Sequence, residues 1–69
     1  MDIATYLKQS DLTQDEFAKR VGVTQAAVSQ WLRGVNRPSP KTAISIEAAT
    51  DGAVTRYALC PEVFGSAAA

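Results

Sequence analysis

The stretch QDEFAKRVGVTQAAVSQWLR, residues 14–33, decides the fold of this chain, because it contains two short amphipathic segments joined at a glycine. Apolar residues recur at helical spacing both before and after Gly22. Glycine adopts the left-handed conformation that ends many helices without steric strain, so Gly22 marks a tight turn. Two helices joined in this way have the outline of a helix-turn-helix.

The second segment has two faces of contrasting chemistry. When its residues are placed at about 100° per residue, one arc contains only apolar side chains: Ala27, Val28, Trp31 and Leu32. The opposite arc contains no acid and no large hydrophobic residue: Gln25, Ala26, Ser29, Gln30 and Arg33. Base edges in the DNA major groove offer donors and acceptors together, and a glutamine amide can match both. The sequence therefore predicts a small, sequence-specific DNA-binding domain that places this segment in the major groove of double-stranded DNA.

Length and composition restrict the classes of protein to consider. Sixty-nine residues form one domain, and a hydrophobic fraction of 46% is ordinary for a globular chain. Since Cys60 is the only cysteine, no internal disulfide can form. No apolar run approaches the ~20 residues of a membrane span, and the chain does not begin with a signal-peptide pattern. We therefore expect a cytoplasmic protein that has no membrane association.

The charges are unevenly distributed, although the net charge is zero. Five cations and no acids lie between Phe17 and Ile46, a range that we call the basic window: Lys19, Arg20, Arg33, Arg37 and Lys41. All seven acids lie outside it. At physiological salt, charges more than about 8 Å apart are largely screened, so phosphates respond to the local potential. The basic window supports DNA binding when it is combined with the polar segment, whereas by itself it fits a solvated cationic face equally well.

Capping residues indicate five helices. N-caps are expected at Asp2, Thr13, Thr24, Ser39 and Thr55. The expected helical spans are residues 1–10, 13–22, 24–33, 40–50 and 55–59, and Pro61 limits the last of them. Glu16 lies three residues after Thr13 and completes a capping box. Two ion pairs at i, i+4 spacing are expected on the second helix: Asp15 with Lys19, and Glu16 with Arg20.

Seven residues fall at the spacing of the helix-turn-helix in the lambda-repressor-like family: Gln14, Phe17, Ala18, Gly22, Val23, Val28 and Trp31. The chain resembles this family, which includes phage Cro and repressor proteins, XRE-type regulators and YdaS-type antitoxins. The run AAVSQW, followed by IEAAT and PEVFG, is most similar to the Cro and YdaS branch. The resemblance implies an all-α fold, a compact domain of four to five helices. Residues 1–64 would form the DNA-binding domain, and residues 65–69 a disordered C-terminal tail.

The resemblance also implies which residues read the bases. Gln25, Ala26 and Gln30 match positions that contact base edges, and Ser29 shares their face of the helix. Ala26 is small where relatives carry a polar reader, so it either touches a thymine methyl group or only lets the helix approach closely.

Contacts with phosphate are expected from six residues: Gln14, Thr24, Arg33, Asn36, Arg37 and Lys41. Among these, the resemblance implies the roles of Gln14, Arg37 and Lys41, and it also implies that Gln14 braces Gln25. Cys60 stands where this branch is expected to carry a cation, which argues against a phosphate contact at that position.

The residue types argue against an enzyme. The chain has no histidine, one cysteine beside a proline, no glycine-rich phosphate loop and no carboxylate cluster. We therefore expect no catalytic residue, no cofactor and no metal site.

Two functions remain after enzymes are set aside. The first is a transcriptional regulator, either a Cro-like repressor or an antitoxin that represses its own synthesis. Because one small domain reads too few base pairs, we expect a homodimer on its DNA operator, formed through residues 57–64 or through Ile44. The alternative is an antitoxin or adaptor that binds a partner protein, such as a toxin, through the apolar stretch at residues 57–64. Val63 and Phe64 are too apolar for a free tail, so they pack either on the domain itself or on a partner.

Overall fold

The computed structural model describes residues 1–65, and this part of the chain is all-helical. Its six helices are α1 (Ile3–Ser10), α2 (Gln14–Val21), α3 (Gln25–Leu32), α4 (Pro40–Ala49), α5 (Arg56–Leu59) and α6 (Pro61–Phe64). The first five agree with the spans that the capping residues predict. Pro61 does limit α5, but it also begins the additional short helix α6, because proline is well suited to the first helical position. The predicted disordered tail lies outside the described residues, except for Gly65.

The predicted N-caps are confirmed at all five positions. Each capping side chain accepts a hydrogen bond from the backbone N–H three residues later: Asp2, Thr13, Thr24, Ser39 and Thr55. In the capping box of α2, Thr13 Oγ1 lies 3.1 Å from Glu16 N, and Glu16 Oε1 lies 3.0 Å from Thr13 N. The expected Asp15–Lys19 ion pair forms at 3.2 Å. The prediction of a Glu16–Arg20 ion pair is wrong for residues 1–65, because the Glu16 carboxylate accepts from the backbone N–H of Thr13 instead.

The helices α1 to α4 end in the same kind of turn. A residue in the left-handed region follows each helix, at Asp11, Gly22, Gly34 and Asp51. The next N–H then donates to a carbonyl five residues earlier, as Val35 N does to Gln30 O at 3.0 Å after α3. This Schellman pattern satisfies the free carbonyls of the last turn and turns the chain back along the helix.

The core forms where α1, α2, α3 and α4 meet, and its members are Ile3, Leu7, Phe17, Ala18, Val28, Ile46 and Val54. The predicted inward residues Phe17 and Val28 are almost fully buried, whereas Ile44 lies outside the core and is 45% exposed, as its position off the stripe of α4 predicts. Val54 is buried although it lies in a loop. The Thr50 hydroxyl accepts from Val54 N at 3.1 Å and donates to Ile46 O at 2.9 Å, and so it fixes this loop against α4.

Within residues 1–65, no helix is both long and apolar enough to cross a membrane.

Candidate nucleic-acid interface

The polar arc of α3 faces away from the core, as the sequence predicts. Val28 is fully buried, and Trp31 and Leu32 pack against the core from the same helix. On the opposite side, Gln25 and Ala26 are exposed, and Ser29 and Gln30 are half-buried. The outward face of α3 therefore presents amide, hydroxyl and methyl groups, and it carries no carboxylate and no large apolar side chain.

The first turn of α3 is fixed by its cap. Thr24 Oγ1 accepts from Ala27 N at 3.1 Å, so this side chain is committed to the helix start while the residue itself stays exposed. Gln14, at the start of α2, is half-buried. Within residues 1–65 it makes no side-chain hydrogen bond with Gln25, so the brace that the resemblance implies is not formed in this structure. The Gln25 side-chain amide is exposed and makes no hydrogen bond within residues 1–65.

Gln30 is held by a residue that follows the helix. Asn36 Nδ2 donates to Gln30 Oε1 at 2.7 Å. The turn at Gly34 creates this contact, because Val35 N also donates to the Gln30 carbonyl and brings the next residue alongside. A separation of six residues is not a helical pairing, so the sequence pattern gives no signal for it. The structure thus joins two predicted site residues that the sequence treats separately.

The basic window is partly neutralised by the C-terminal helix. Arg37 Nη1 lies 3.0 Å from Glu62 Oε2, and both side chains are more than half exposed. The acids that the sequence places outside the window are therefore not all outside it in space. Lys19 is paired with Asp15, whereas Arg20, Arg33 and Lys41 are exposed and form no ion pair with any residue of the described chain. These three are the cations of the basic window that have no ion pair within residues 1–65.

Cys60 lies in the interior. It is 2% exposed, and its Sγ donates to the carbonyl oxygen of Pro38 at 3.2 Å. Burial raises the pKa of the Cys60 thiol, with a smaller contribution from the Glu62 carboxylate. The thiol thus fastens the junction of α5 and α6 to the loop after α3. A buried cysteine at position 60, where the resemblance implies a cation, is therefore explained by packing. Its side chain is too buried to contact a DNA backbone.

Arg56 organises the C-terminal part of the domain, a role that no sequence pattern predicts. Its guanidinium carbon lies 5.2 Å from the ring centroid of Tyr57 and 5.5 Å from that of Phe64. Glu47 on α4 accepts from Arg56 N at 3.2 Å and pairs with its guanidinium at 3.8 Å. This cluster packs Phe64 on the domain itself, whereas Val63 is 56% exposed. Tyr57, Leu59, Cys60 and Phe64 of the stretch at residues 57–64 are therefore at least half-buried on their own chain.

Comparisons with known proteins identify relatives of this chain. The family described as bacterial toxin YdaS matches residues 13–68, which is more than half of the chain. The chain is also similar to the regulatory protein cro of Pseudomonas phage D3, with 45% identity over 49 residues that cover 71% of this chain and 67% of the phage protein. No solved structure gives a significant match.

Proposed function

The chain belongs to the bacterial toxin YdaS family, among the Cro-like helix-turn-helix proteins, and from this premise we propose that it is a sequence-specific transcriptional regulator that reads the DNA major groove with α3. The observation that carries the proposal is the outward face of α3, where Gln25, Ala26, Ser29 and Gln30 stand around a helix anchored by Val28. Residues 1–64 act as the DNA-binding domain. The related phage protein is named a regulatory protein, which supports a regulatory role, and we propose that this role is repression.

The proposed interface divides into readers and positioners. Gln25, Ala26, Ser29 and Gln30 contact base edges, because they lie on the exposed arc of the inserted helix. Positioning on phosphates falls to six residues: Gln14, Thr24, Arg33, Asn36, Arg37 and Lys41. Thr24 contributes mainly through its cap, because a capped first turn presents its backbone N–H groups to phosphate in a fixed geometry.

The active species on DNA is a homodimer. A single domain of this size discriminates too weakly among the sites of a genome, so two copies on a palindromic operator are required. Ile44 on α4 and Val63 on α6 are the apolar side chains proposed to join them, because they are 45% and 56% exposed and neither lies on α3.

A second candidate function is the binding of a partner protein. The description of the family as a toxin favours it, since a toxin acts on another component of the cell. The aromatic side chains of residues 57–64 are half-buried on their own domain, which leaves Val63 as the large exposed apolar side chain there. Both functions are compatible, because the proposed base-reading residues lie on α3 and Val63 lies on α6.

Selection of bound duplexes from a random pool tests the proposed function. The wild-type protein should enrich one palindromic motif, and the double variant Gln25→Ala, Gln30→Ala should lose that enrichment while keeping the helical circular dichroism signal. If the wild-type protein enriches no motif beyond what the double variant enriches, α3 does not read sequence. A pull-down with the Val63→Ser variant addresses the second candidate, because a partner bound through α6 should be lost while DNA selection is retained.

A further inference from the structure

The hydrogen bond between Asn36 and Gln30 has a consequence for base recognition that rests on the proposed function. A glutamine amide carries an acceptor oxygen on one side and two donor hydrogens on the other. Asn36 Nδ2 lies 2.7 Å from Gln30 Oε1, so the oxygen is turned toward the loop that follows α3. The Gln30 Nε2 group is consequently turned away from this loop.

The loop is held in place independently of DNA. Gly34 has a φ of 74°, and the hydrogen bond from Val35 N to the Gln30 carbonyl, 3.0 Å long, closes the turn. The Pro38 carbonyl a little further on accepts from the buried Cys60 thiol. Asn36 therefore stands on a loop fixed at both ends, and it can hold the Gln30 amide in one of its two orientations before DNA arrives.

We propose that Asn36 is a positioning residue for Gln30, and that the pair turns the Nε2 donors of Gln30 toward the DNA, so that Gln30 selects guanine over adenine. Guanine presents two neighbouring acceptors, N7 and O6, to the major groove, and they match the two hydrogens of Nε2. Adenine presents N7 beside its N6 amino group, so the Nε2 hydrogens meet one acceptor and one donor there. Gln25 has no such partner in the described chain and keeps the bidentate contact with adenine. The two glutamines of α3 thus read different bases.

Two substitutions of Asn36 distinguish an effect on the orientation of the Gln30 amide from an effect on the stability of the domain. Asn36→Ala removes the fixed partner, so the Gln30 amide can turn over and the guanine preference should fall from about fivefold to less than about twofold. Asn36→Asp places a pure acceptor beside Gln30, which must then donate Nε2 to the carboxylate and offer Oε1 to the base. The preference should therefore move toward adenine or cytosine, which carry exocyclic amino donors.

The assay measures the affinity of each variant for four duplexes that differ only at the base pair facing Gln30. That base pair is the one at which Gln30→Ala loses discrimination. Ratios are compared within each variant, so the general repulsion between the Asn36→Asp carboxylate and phosphate cancels. Arg37→Ala is the matched control in the same loop, and it should lower all four affinities by a similar factor.

The outcomes distinguish this inference from the proposed function. If the wild-type protein binds no duplex with preference, the proposed function fails. If it binds with preference but Gln30→Ala affects every base pair equally, or if both Asn36 variants keep the wild-type guanine-to-adenine ratio, only this inference is overturned. A measurement without DNA gives a further check. Gln30→Ala should shift one side-chain amide proton of Asn36 upfield in the NMR spectrum, and an unchanged signal would contradict the pair.

Discussion

Arg37 Nη1 and Glu62 Oε2 lie 3.0 Å apart, and this ion pair joins the loop after α3 to the last helix of the described chain. The side chains are 67% and 58% exposed, so the pair contributes little to folding, about 0–1 kcal/mol. In the proposed function a DNA phosphate binds the same guanidinium, so Glu62 would compete with that phosphate for Arg37.

The first prediction follows from this competition. Glu62→Gln should raise the affinity for DNA about two- to fivefold, because Arg37 would no longer have to break an ion pair with Glu62 before it contacts phosphate. The matched control is Asp51→Asn, which removes one negative charge from a residue without an ion pair in the described chain and keeps a side chain that tolerates φ > 0. Titration of one labelled operator with both variants checks this. An equal gain for both would mean that only net charge matters.

The second prediction concerns salt. Although the net charge is zero, the logarithm of the affinity should fall with the logarithm of salt concentration with a slope of about −4 to −5 per domain, as four to six phosphate contacts require. Lys41→Ala should make the slope shallower by about one, because Lys41 lies in the basic window. Lys8→Ala, on α1 outside the window, should leave the slope unchanged. A slope near zero for the wild-type protein would contradict the electrostatic part of the proposal.

The third prediction concerns acid stability. The backbone N–H of Thr13, and then its hydroxyl, hydrogen-bond to Glu16 and lower the pKa of this carboxyl. Because the folded pKa lies below the unfolded one, the stabilisation is present above the unfolded pKa and is lost as the pH falls through the folded value.

The free energy of unfolding should therefore decrease as the pH falls below the ordinary carboxyl pKa of 4.5 and through the lower folded pKa of Glu16. Glu16→Gln keeps an acceptor for the capping box but cannot titrate, so its decrease over the same range should be smaller. Urea titrations at several pH values compare the two proteins. Parallel curves would show that the cap carries no pH dependence.

The fourth prediction concerns assembly. Two copies should bind one operator, with half-sites about one helical turn apart, ~34 Å centre to centre. The double variant Ile44→Ser, Val63→Ser should weaken cooperative binding but keep the affinity for an isolated half-site, because neither residue lies on α3. Sedimentation of the protein on an operator fragment measures the number of copies, and a single bound copy would argue against the dimer.

The features that could be predicted from the sequence are the local ones. An N-cap is decided by a side chain and a backbone N–H three residues away, so Thr13 and Ser39 are recognisable from spacing alone. The burial of Val54 could not be predicted in this way, because it depends on the Thr50 hydroxyl in a loop without periodicity.

The candidate site divides along the same line. The polar arc of α3 follows from helical periodicity, and the structure keeps it exposed. The Asn36–Gln30 contact requires a Schellman turn, and the Arg37–Glu62 pair spans 25 residues of chain. The basic window was defined by position along the chain. In the folded domain Glu62 lies beside Arg37, so an acid from outside the window is close to it in space.

The last prediction separates a reader of bases from a positioner on phosphate. Gln25 is exposed and its amide makes no hydrogen bond within the described residues, so it can donate to adenine N7 and accept from the adenine N6 amino group in one planar contact. Gln25→Ala should therefore cost about 1–3 kcal/mol on the preferred operator and much less on an operator already changed at that adenine. Arg37→Ala should weaken binding to both operators by a similar factor, because a phosphate contact carries no base information. Binding of each variant to the matched and the changed operator, measured at one salt concentration, completes the cycle. If Gln25→Ala weakens both operators equally, this residue does not read a base, and recognition must pass through Gln30 and the rest of the α3 face.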